Sequence, residues 1–234
     1  MSSFYALESD SVSIRPTAVA DIPEIVKLQE ESFAELAKLG NIWHPEELES
    51  HLNIFPEGQL VAELEGKIVG SATSLIVNLN PNYSDHTWTG ITGNGMLTTH
   101  LPAGDTLYGA DISTHPKVRH RGIGHKLYQG RKDIAMRMNL KRMIAGGRLY
   151  NYCDYSEKLT PLEYALEVVD CKLHDLVLSF DLINGFKFVK ILPNYLDDAR
   201  SLNYASFIEW TNPHYEPNQE DKSKLNSSMP SGMA

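Results

Sequence analysis

The chain has 234 residues, of which 42% are hydrophobic and 22% charged, and its formal net charge is −9. This length and apolar content suffice for one domain with a sizeable core. Because affinity for nucleic acids depends on basic residues that neutralise phosphates, the acidic balance argues against a nucleic-acid-binding protein. Cys153 and Cys171 show neither CxxC spacing nor a dense framework, which argues against a disulfide scaffold or a zinc site.

The sequence contains no apolar run near eighteen residues, and its first ten residues lack Lys and Arg. We therefore expect no membrane span, no secretory leader, no membrane partner and a cytoplasmic protein with reduced thiols. The charge is unevenly placed, since residues 119–148 hold nine Lys or Arg and one acid, giving +8 there and −17 elsewhere. This asymmetry suits an anionic cofactor, and a solvated basic helix face is the alternative.

The first third of the chain predicts a strand, two helices and a hairpin. The strand covers Val12 to Arg15, a helix starts at Asp21 with an acid three positions on, and a second helix begins around Pro45. Two apolar strands, Gln59 to Leu64 and Lys67 to Val77, are joined by Glu65-Gly66, which is typical of an antiparallel hairpin.

Residues 78–104 form a loop longer than usual connections, rich in Asn, Pro, Gly and Thr. Loops of this length are often functional. We single out Trp88 and His100 as candidate lining residues of a substrate pocket, with surface packing as the alternative.

The central stretch, residues 105–138, predicts a strand, a short loop and an amphipathic helix. The strand follows Leu107 to Ile112 and ends near Thr114, because Pro116 cannot donate to a sheet. Apolar residues at helical spacing favour a helix from His125 to about Asn139.

The loop between them carries Arg119, His120, Arg121, Gly122, Ile123 and Gly124. Glycines before a helix allow a tight turn and a close ligand approach, while the first helical N–H groups and the positive dipole end attract phosphate. The two arginines provide fork-shaped donors suited to a pyrophosphate, and His120 and His125 are further candidates. The loop is neither a Walker A motif nor a dinucleotide fingerprint, because Leu127 stands where a third glycine would be needed.

The remainder of the chain predicts further strands and helices before a polar end. Thr160-Pro161-Leu162-Glu163 is a capping-box helix start, and residues after Pro213 have the composition of a disordered tail. The other predicted elements are strands at Arg142 to Leu149, Phe186 to Leu192 and Tyr204 to Trp210, and a helix at Leu173 to Ile183.

The loop residues resemble the signature of the GNAT superfamily of acyl-CoA-dependent N-acetyltransferases. That signature is Arg or Gln, two residues, Gly, one residue, then Gly or Ala, and Arg119 to Gly124 satisfies it. The flanking Thr114-His115-Pro116 and Leu127 are also similar to the family, and the resemblance extends from about Val12 to Pro213. Asn184-Gly185-Phe186 and the residues after it resemble acetyltransferase domains sometimes joined to carbon–nitrogen hydrolases.

The resemblance implies an α/β (α+β) GNAT fold: a central, mixed, mostly antiparallel sheet of six or seven strands, splayed at the cofactor strand and flanked by helices. Length and composition predict one domain at residues 1–213 and a disordered tail at 214–234. Acetyl-CoA would bind through residues 119–125 and through the strand end at Ile112, Ser113 and Thr114. Its pantetheine arm would enter the gap between Tyr108 to Thr114 and Met143 to Arg148, with Arg148 near the mouth as a substrate-binding candidate.

The catalytic positions depart from the better-studied members. Asp181 stands at the common general-acid tyrosine, and His174 replaces an asparagine often found near the cofactor. Tyr108 occupies the place where some relatives carry a base. With regular alternation, Tyr108 shares a face with Ala110, Ile112 and Thr114, and Asp111 faces the other layer. We take Tyr108 and Asp111 as the candidate catalytic residues, with purely structural roles as the alternative.

The resulting hypothesis is an N-acetyltransferase that moves an acetyl group from acetyl-CoA to a small amine by direct attack, without metal. The acidic remainder of the chain suits a polyamine-like or amino substrate. The alternative is a non-catalytic acyl-CoA-binding regulatory module. A homodimer is left open.

Overall fold

A computed structural model describes residues 12–79 and 84–217. One seven-stranded sheet, in the order β1-β2-β3-β4-β5-β7-β6, runs through it. All neighbouring strands are antiparallel except β4 and β5, which are parallel. The strands are β1 Ser13–Pro16, β2 Gln59–Leu64, β3 Lys67–Val77, β4 Thr106–Thr114, β5 Arg142–Arg148, β6 Lys187–Leu192 and β7 Ala205–Thr211.

Helices cover both faces of the sheet, so alternate residues of each strand enter different cores. On one face, Leu60 and Leu107 pack with Leu127 and Ile134 of the long helix. On the other, Val61, Leu75 and Tyr108 pack with the first helix. The helices are α1 Ile22–Ser32, α2 Ala34–Ala37, α3 Pro45–Ile54, α4 Trp88–Thr92, α5 Ile123–Arg137, α6 Pro161–Val169 and α7 Leu178–Ile183.

The mixed, mostly antiparallel sheet of seven strands confirms the predicted fold class, including its splay. Parallel pairing of β4 with β5 covers only Thr106 to Gly109 against Arg142 to Ala145. Past these pairs β4 continues to Thr114 and β5 to Arg148. The two strands therefore separate into a cleft at their carboxyl ends.

Three predicted elements were wrong in extent. The last helix starts at Leu178 rather than Leu173, because the buried Asp175 carboxylate accepts hydrogen bonds from the N–H groups of Val177 and Leu178, each at 2.9 Å. The long loop contains α4, since the Thr87 side chain accepts from the Gly90 N–H at 3.0 Å. Helix α5 begins at Ile123, two residues earlier than predicted.

The described structure extends a few residues past Pro213. The backbone of Glu216 exchanges two hydrogen bonds, of 2.8 and 2.9 Å, with the side chain of Asn139. Residues 218–234 of the expected tail lie outside the described residues. No helix in residues 12–79 and 84–217 is both long and apolar enough to cross a membrane.

Candidate functional site

The predicted strand–loop–helix unit is present, and Gly122 forms its turning point. Gly122 has φ 75°, in the left-handed region, which glycine adopts without steric cost. Ile123 then begins α5 and is only 2% exposed, so the helix start is anchored in the core. The first N–H groups of α5 consequently point away from their own helix with no carbonyl to bind.

Two arginines flank this helix start. Arg119 and Arg121 are exposed, as is His120, and neither arginine makes a hydrogen bond or ion pair with the described residues. His125 differs, since its Nδ1 lies 2.8 Å from Asn184 Oδ1. Free guanidinium groups beside unbonded backbone donors fit a phosphate-bearing ligand.

A bulge in β4 determines which side chains of this strand lie on each face of the sheet. Thr73 pairs with Asp111 and Ser74 with Gly109, so Ala110 is an extra residue without a partner. The bulge reverses the alternation of β4. Tyr108 and Asp111 therefore lie on the same face, the one covered by α1, and the predicted assignment of Asp111 to the other layer was wrong. Ile112 packs instead in the core beneath α5.

Arg131 of α5 holds this bulge from the opposite face. It is 1% exposed, donates to the Thr73 carbonyl at 2.7 Å and to Ser74 Oγ at 3.0 Å, and also donates to the Asp111 carbonyl. The carbonyl groups of Thr73 and Asp111 thus accept hydrogen bonds from Arg131 in place of those that a neighbouring strand would donate in a regular sheet.

Asp111 is half-buried, and its Oδ2 accepts from Gln29 Nε2 of α1 at 2.9 Å. Burial raises the pKa of Asp111 above its usual range, although the Gln29 hydrogen bond and the Arg131 charge oppose this. Gln29 also donates to Ser113 Oγ at 3.2 Å. A carboxylate of raised pKa on the α1 face of the cleft can accept a proton.

Tyr108 is fully buried and belongs to a chain of three polar rings. Its hydroxyl lies 2.9 Å from His86 Nε2 and 2.8 Å from the Tyr195 hydroxyl. Burial, followed by the charge of Tyr195, raises the pKa of Tyr108 well above its usual value. The Tyr195 ring lies against Gly146 of β5, where an added Cβ would come within 2.3 Å of Tyr195 Cζ. The Tyr108 hydroxyl thus lies beside both Tyr195 and the backbone of Gly146.

Asp181 lies under the cleft on the α5 face. It is 2% exposed, its Oδ1 accepts from the Tyr128 hydroxyl at 2.6 Å, and its buried Oδ2 has no hydrogen-bond partner within residues 12–79 and 84–217. Burial raises its pKa to about 7, while the Tyr128 hydrogen bond opposes the shift. A Cβ at Gly147 of β5 would lie 2.8 Å from Oδ2, so only a glycine there leaves room for this carboxyl group.

The three predicted substrate residues lie apart. Trp88 donates from Nε1 to the carbonyl of the bulged Ala110 at 3.0 Å, and Arg148 ends β5 at the cleft mouth. His100 is not brought to the cleft. Its Nδ1 accepts from the Ile76 N–H at 3.0 Å and its ring stacks on Phe55, at the other end of β4.

Sequence reasoning missed several residues that the fold brings into contact with Asp111 or Tyr108, among them Gln29, His86 and Tyr195. Gln29 occupies a core-facing position of α1, where a polar residue stands among apolar ones. A polar residue on the apolar face of a predicted helix could have marked Gln29 as a candidate in the sequence. His86 and Tyr195 lie in irregular segments where no periodicity marks them.

Comparison with known proteins identifies the family. The Acetyltransferase (GNAT) family profile matches residues 22–152. The chain is 38% identical over 207 residues to the "Uncharacterized N-acetyltransferase YkwB" of Bacillus subtilis (strain 168), covering 88% of this chain and 92% of that protein. It is 45% identical over 218 residues to the "Probable hydrolase YhcX" of the same organism, covering 93% of this chain but only 42% of that protein.

Two solved structures share the fold. The loading GNATL domain of CurA from Lyngbya majuscula superposes with a TM-score of 0.74 at 23% identity, over 87% of this chain and 99% of that one. GphF, a GNAT-like decarboxylase in complex with isobutyryl-CoA, gives a TM-score of 0.70 at 18% identity, over 86% and 99%. Together with the profile match and the relatives, the cleft, the bulge and the glycine turn place this chain in the GNAT acetyltransferase family, as an acyltransferase enzyme.

Proposed function

We propose that this protein transfers an acetyl group from acetyl-CoA to an amine by direct attack. One observation supports this most: the free helix start of α5 and the unpaired edge of β4 meet at a cleft that also opens toward α1. The first can hold phosphate, and the second offers backbone groups to an extended amide-containing chain. The cleft thereby joins a donor side, under α5, to an acceptor side, under α1.

The donor side is proposed to bind the CoA phosphates with Arg119, Arg121 and the N–H groups of residues 122–125. His120 and His125 border this site, and His125 is already fixed by Asn184. Backbone N–H groups near Ile112, Ser113 and Thr114 would stabilise the oxyanion that develops on the thioester carbonyl. Acetyl-CoA would act as the acyl-donor substrate and leave as CoA after each turnover.

Proton transfer is assigned to the two faces separately. Asp111 accepts the proton of the attacking amine on the α1 face, directly or through water, since its raised pKa strengthens it as a base. Asp181 protonates the leaving thiolate on the α5 face, because a carboxyl group with a pKa of about 7 is substantially protonated at neutral pH. Tyr108 serves as a positioning residue that fixes Tyr195 against β5.

The environments of Cys153 and Cys171 support direct transfer of the acetyl group without an acyl-cysteine intermediate. Cys153 donates from Sγ to Asp154 Oδ1 at 3.4 Å, and burial, followed by this hydrogen bond, raises the pKa of the Cys153 thiol. A raised thiol pKa lowers the thiolate fraction and hence nucleophilicity. Cys171 is exposed after α6, away from the cleft-lining strands. Neither cysteine is proposed to carry the acyl group.

The proposal is tested by screening primary amines with acetyl-CoA and measuring free thiol release together with the acetylated product. We expect amine-dependent release that persists in a Cys153→Ser, Cys171→Ser double variant and falls at least about 10²-fold in Asp111→Asn. Tight CoA binding without turnover of any amine would favour the non-catalytic module. An acetylated cysteine formed and consumed at the steady-state rate would overturn direct transfer.

A further inference from the structure

A pocket of about 240 Å3 opens at the mouth of the cleft, on the α1 side. Its walls include Phe33 between α1 and α2, Arg119 after β4, Arg148 at the end of β5, and Tyr150 and Arg200. We call these five residues the arginine pocket. Ser32 Oγ donates to the carbonyl of Thr114 at 3.2 Å, which ties the end of α1 to the end of β4. The volume is smaller than that of a typical drug-sized site and suits a small metabolite.

Arg148 is the least solvated cation of this pocket. Its side chain is 16% exposed, and its guanidinium carbon lies 5.6 Å from the centre of the Phe33 ring and 4.8 Å from that of Tyr150. Its one hydrogen bond within the described residues is a long contact of 3.3 Å to Asp198 Oδ1. A guanidinium group has five N–H donors in a fork that matches a carboxylate, so most of its donors are unused.

The other charges of the pocket leave a surplus of donors. Glu31 is engaged by His115 Nε2 at 2.6 Å, and Glu35 is exposed. Arg200 pairs with Asp154 at 3.0 Å and lies over Tyr150, but its buried Nε has no hydrogen-bond partner in the described part of the chain. Arg119 borders the pocket and also has no partner among the described residues, but it is proposed to bind a CoA phosphate, so the acceptor is left with the donors of Arg148 and Arg200. Desolvated donors without acceptors are costly unless a ligand supplies the acceptor.

We propose that the arginine pocket binds a carboxylate of the acceptor, so that the acceptor class is amino acids and related amines carrying an acidic group near the reacting nitrogen. The inference rests on the proposed acetylation of an amine. It reverses the expectation of a polyamine-like substrate, because the acceptor entrance presents guanidinium donors with unused N–H groups although the chain as a whole is acidic.

The test compares matched amines with and without the carboxylate, such as L-phenylalanine with 2-phenylethylamine and L-methionine with 3-(methylthio)propylamine. We expect kcat/KM to be about tenfold or more higher for the amino acids, as one charge-assisted contact allows. Arg148→Ala and Arg148→Lys should bring this ratio close to one. Arg137→Ala, which removes an exposed arginine at the far end of α5, should preserve it.

Calorimetry separates this proposal from the proposed activity. L-phenylalanine and L-methionine are titrated into protein saturated with CoA, where binding that Arg148→Ala removes and Arg137→Ala retains supports the pocket even without turnover. The inference is overturned if amines lacking the carboxylate react equally well, or if the amino acids neither react nor bind. It is also overturned if Arg148→Ala weakens CoA binding as much as Arg121→Ala, which would assign Arg148 to a CoA phosphate.

Discussion

Gly122 allows the anion site to be tested with a matched pair of variants. A Cβ at this position would meet nothing within 4 Å, and Asn and Asp are the side chains that best tolerate its left-handed backbone. Gly122→Asn and Gly122→Asp should therefore cause the same backbone strain and differ only in the charge of the side chain. The added carboxylate beside a bound phosphate should weaken CoA binding by about 1–4 kcal/mol more than the amide does. Calorimetry measures both, and equal losses would contradict phosphate binding at this turn.

The raised pKa of Asp181 predicts that the free energy of unfolding depends on pH. Its carboxyl ionises at about 7 in the folded protein against 3.8 ordinarily, so between these values the folded chain holds a proton that the unfolded chain has lost. The free energy of unfolding therefore falls as pH rises from about 4 to 7, by up to about 4 kcal/mol, and then levels off. Asp181→Asn has no such group, so its stability relative to the wild type should increase over this range.

Urea unfolding of both proteins at pH 4.5 and pH 8 measures this difference. A stability gap that is equal at the two pH values would show that Asp181 is ionised throughout, and it could not then donate a proton to the thiolate. The activity readout is separate: Asp181→Asn should lower kcat by about 10²-fold or more with little change in CoA affinity. Tyr128→Phe, which removes the hydroxyl bound to Oδ1, provides a comparison that keeps the carboxyl group.

At the scale of elements, the bulge in β4 depends on one side chain from α5. Arg131→Met keeps much of the volume but leaves the carbonyls of Thr73 and Asp111 without this donor. Removing hydrogen bonds from buried acceptors costs about 1–3 kcal/mol each, so we expect a marked loss of stability in urea. Faster hydrogen exchange should be confined to β3 and β4 near Ala110. A variant as stable as the wild type, with unchanged exchange, would show that the bulge forms without Arg131.

The elements that the sequence predicted well are those defined by local signals. The hairpin strands β2 and β3 matched to the residue, because two apolar runs flank a Glu65-Gly66 turn with φ values of 51° and 72°. The capping box at Thr160 was also confirmed, with the Glu163 N–H bound to Thr160 Oγ1 at 3.3 Å. The glycine loop was predicted because the residues that form its turn are consecutive in the sequence.

The faces of β4 were not predictable from alternation, because the bulge is held by a side chain twenty positions further along the chain. The same applies to Asp181, whose raised pKa follows from burial against Tyr128 and Gly147, residues from two other elements. The arginine pocket combines the end of α1 with residues that follow β4, β5 and β6 in the chain. Long-range packing of this kind leaves no periodic trace in the sequence.

For the whole molecule, the splayed sheet divides the chemistry between its two faces. Asp111 is bound by Gln29 of α1, whereas Asp181 is bound by Tyr128 of α5. In the proposed reaction, an acyl donor entering from the α5 side and an amine entering from the α1 side would meet where β4 and β5 separate. The proposed base and the proposed acid therefore have different environments although both are carboxyl groups.

The charge of the whole molecule gives the last prediction. Residues 119–148 carry +8 within a chain of −9, but Arg131 and Arg142 are buried, so the positive field near the glycine turn comes from fewer groups. Raising salt from 0.1 to 1 M shortens the Debye length from about 10 to about 3 Å. CoA affinity should therefore fall, by about tenfold, if exposed arginines attract its phosphates. Arg121→Ala should bind CoA more weakly and with a shallower salt dependence, while Arg137→Ala keeps the wild-type slope. An unchanged slope in Arg121→Ala would show that this arginine does not pair with phosphate, and that the backbone donors of α5 hold the anion without it.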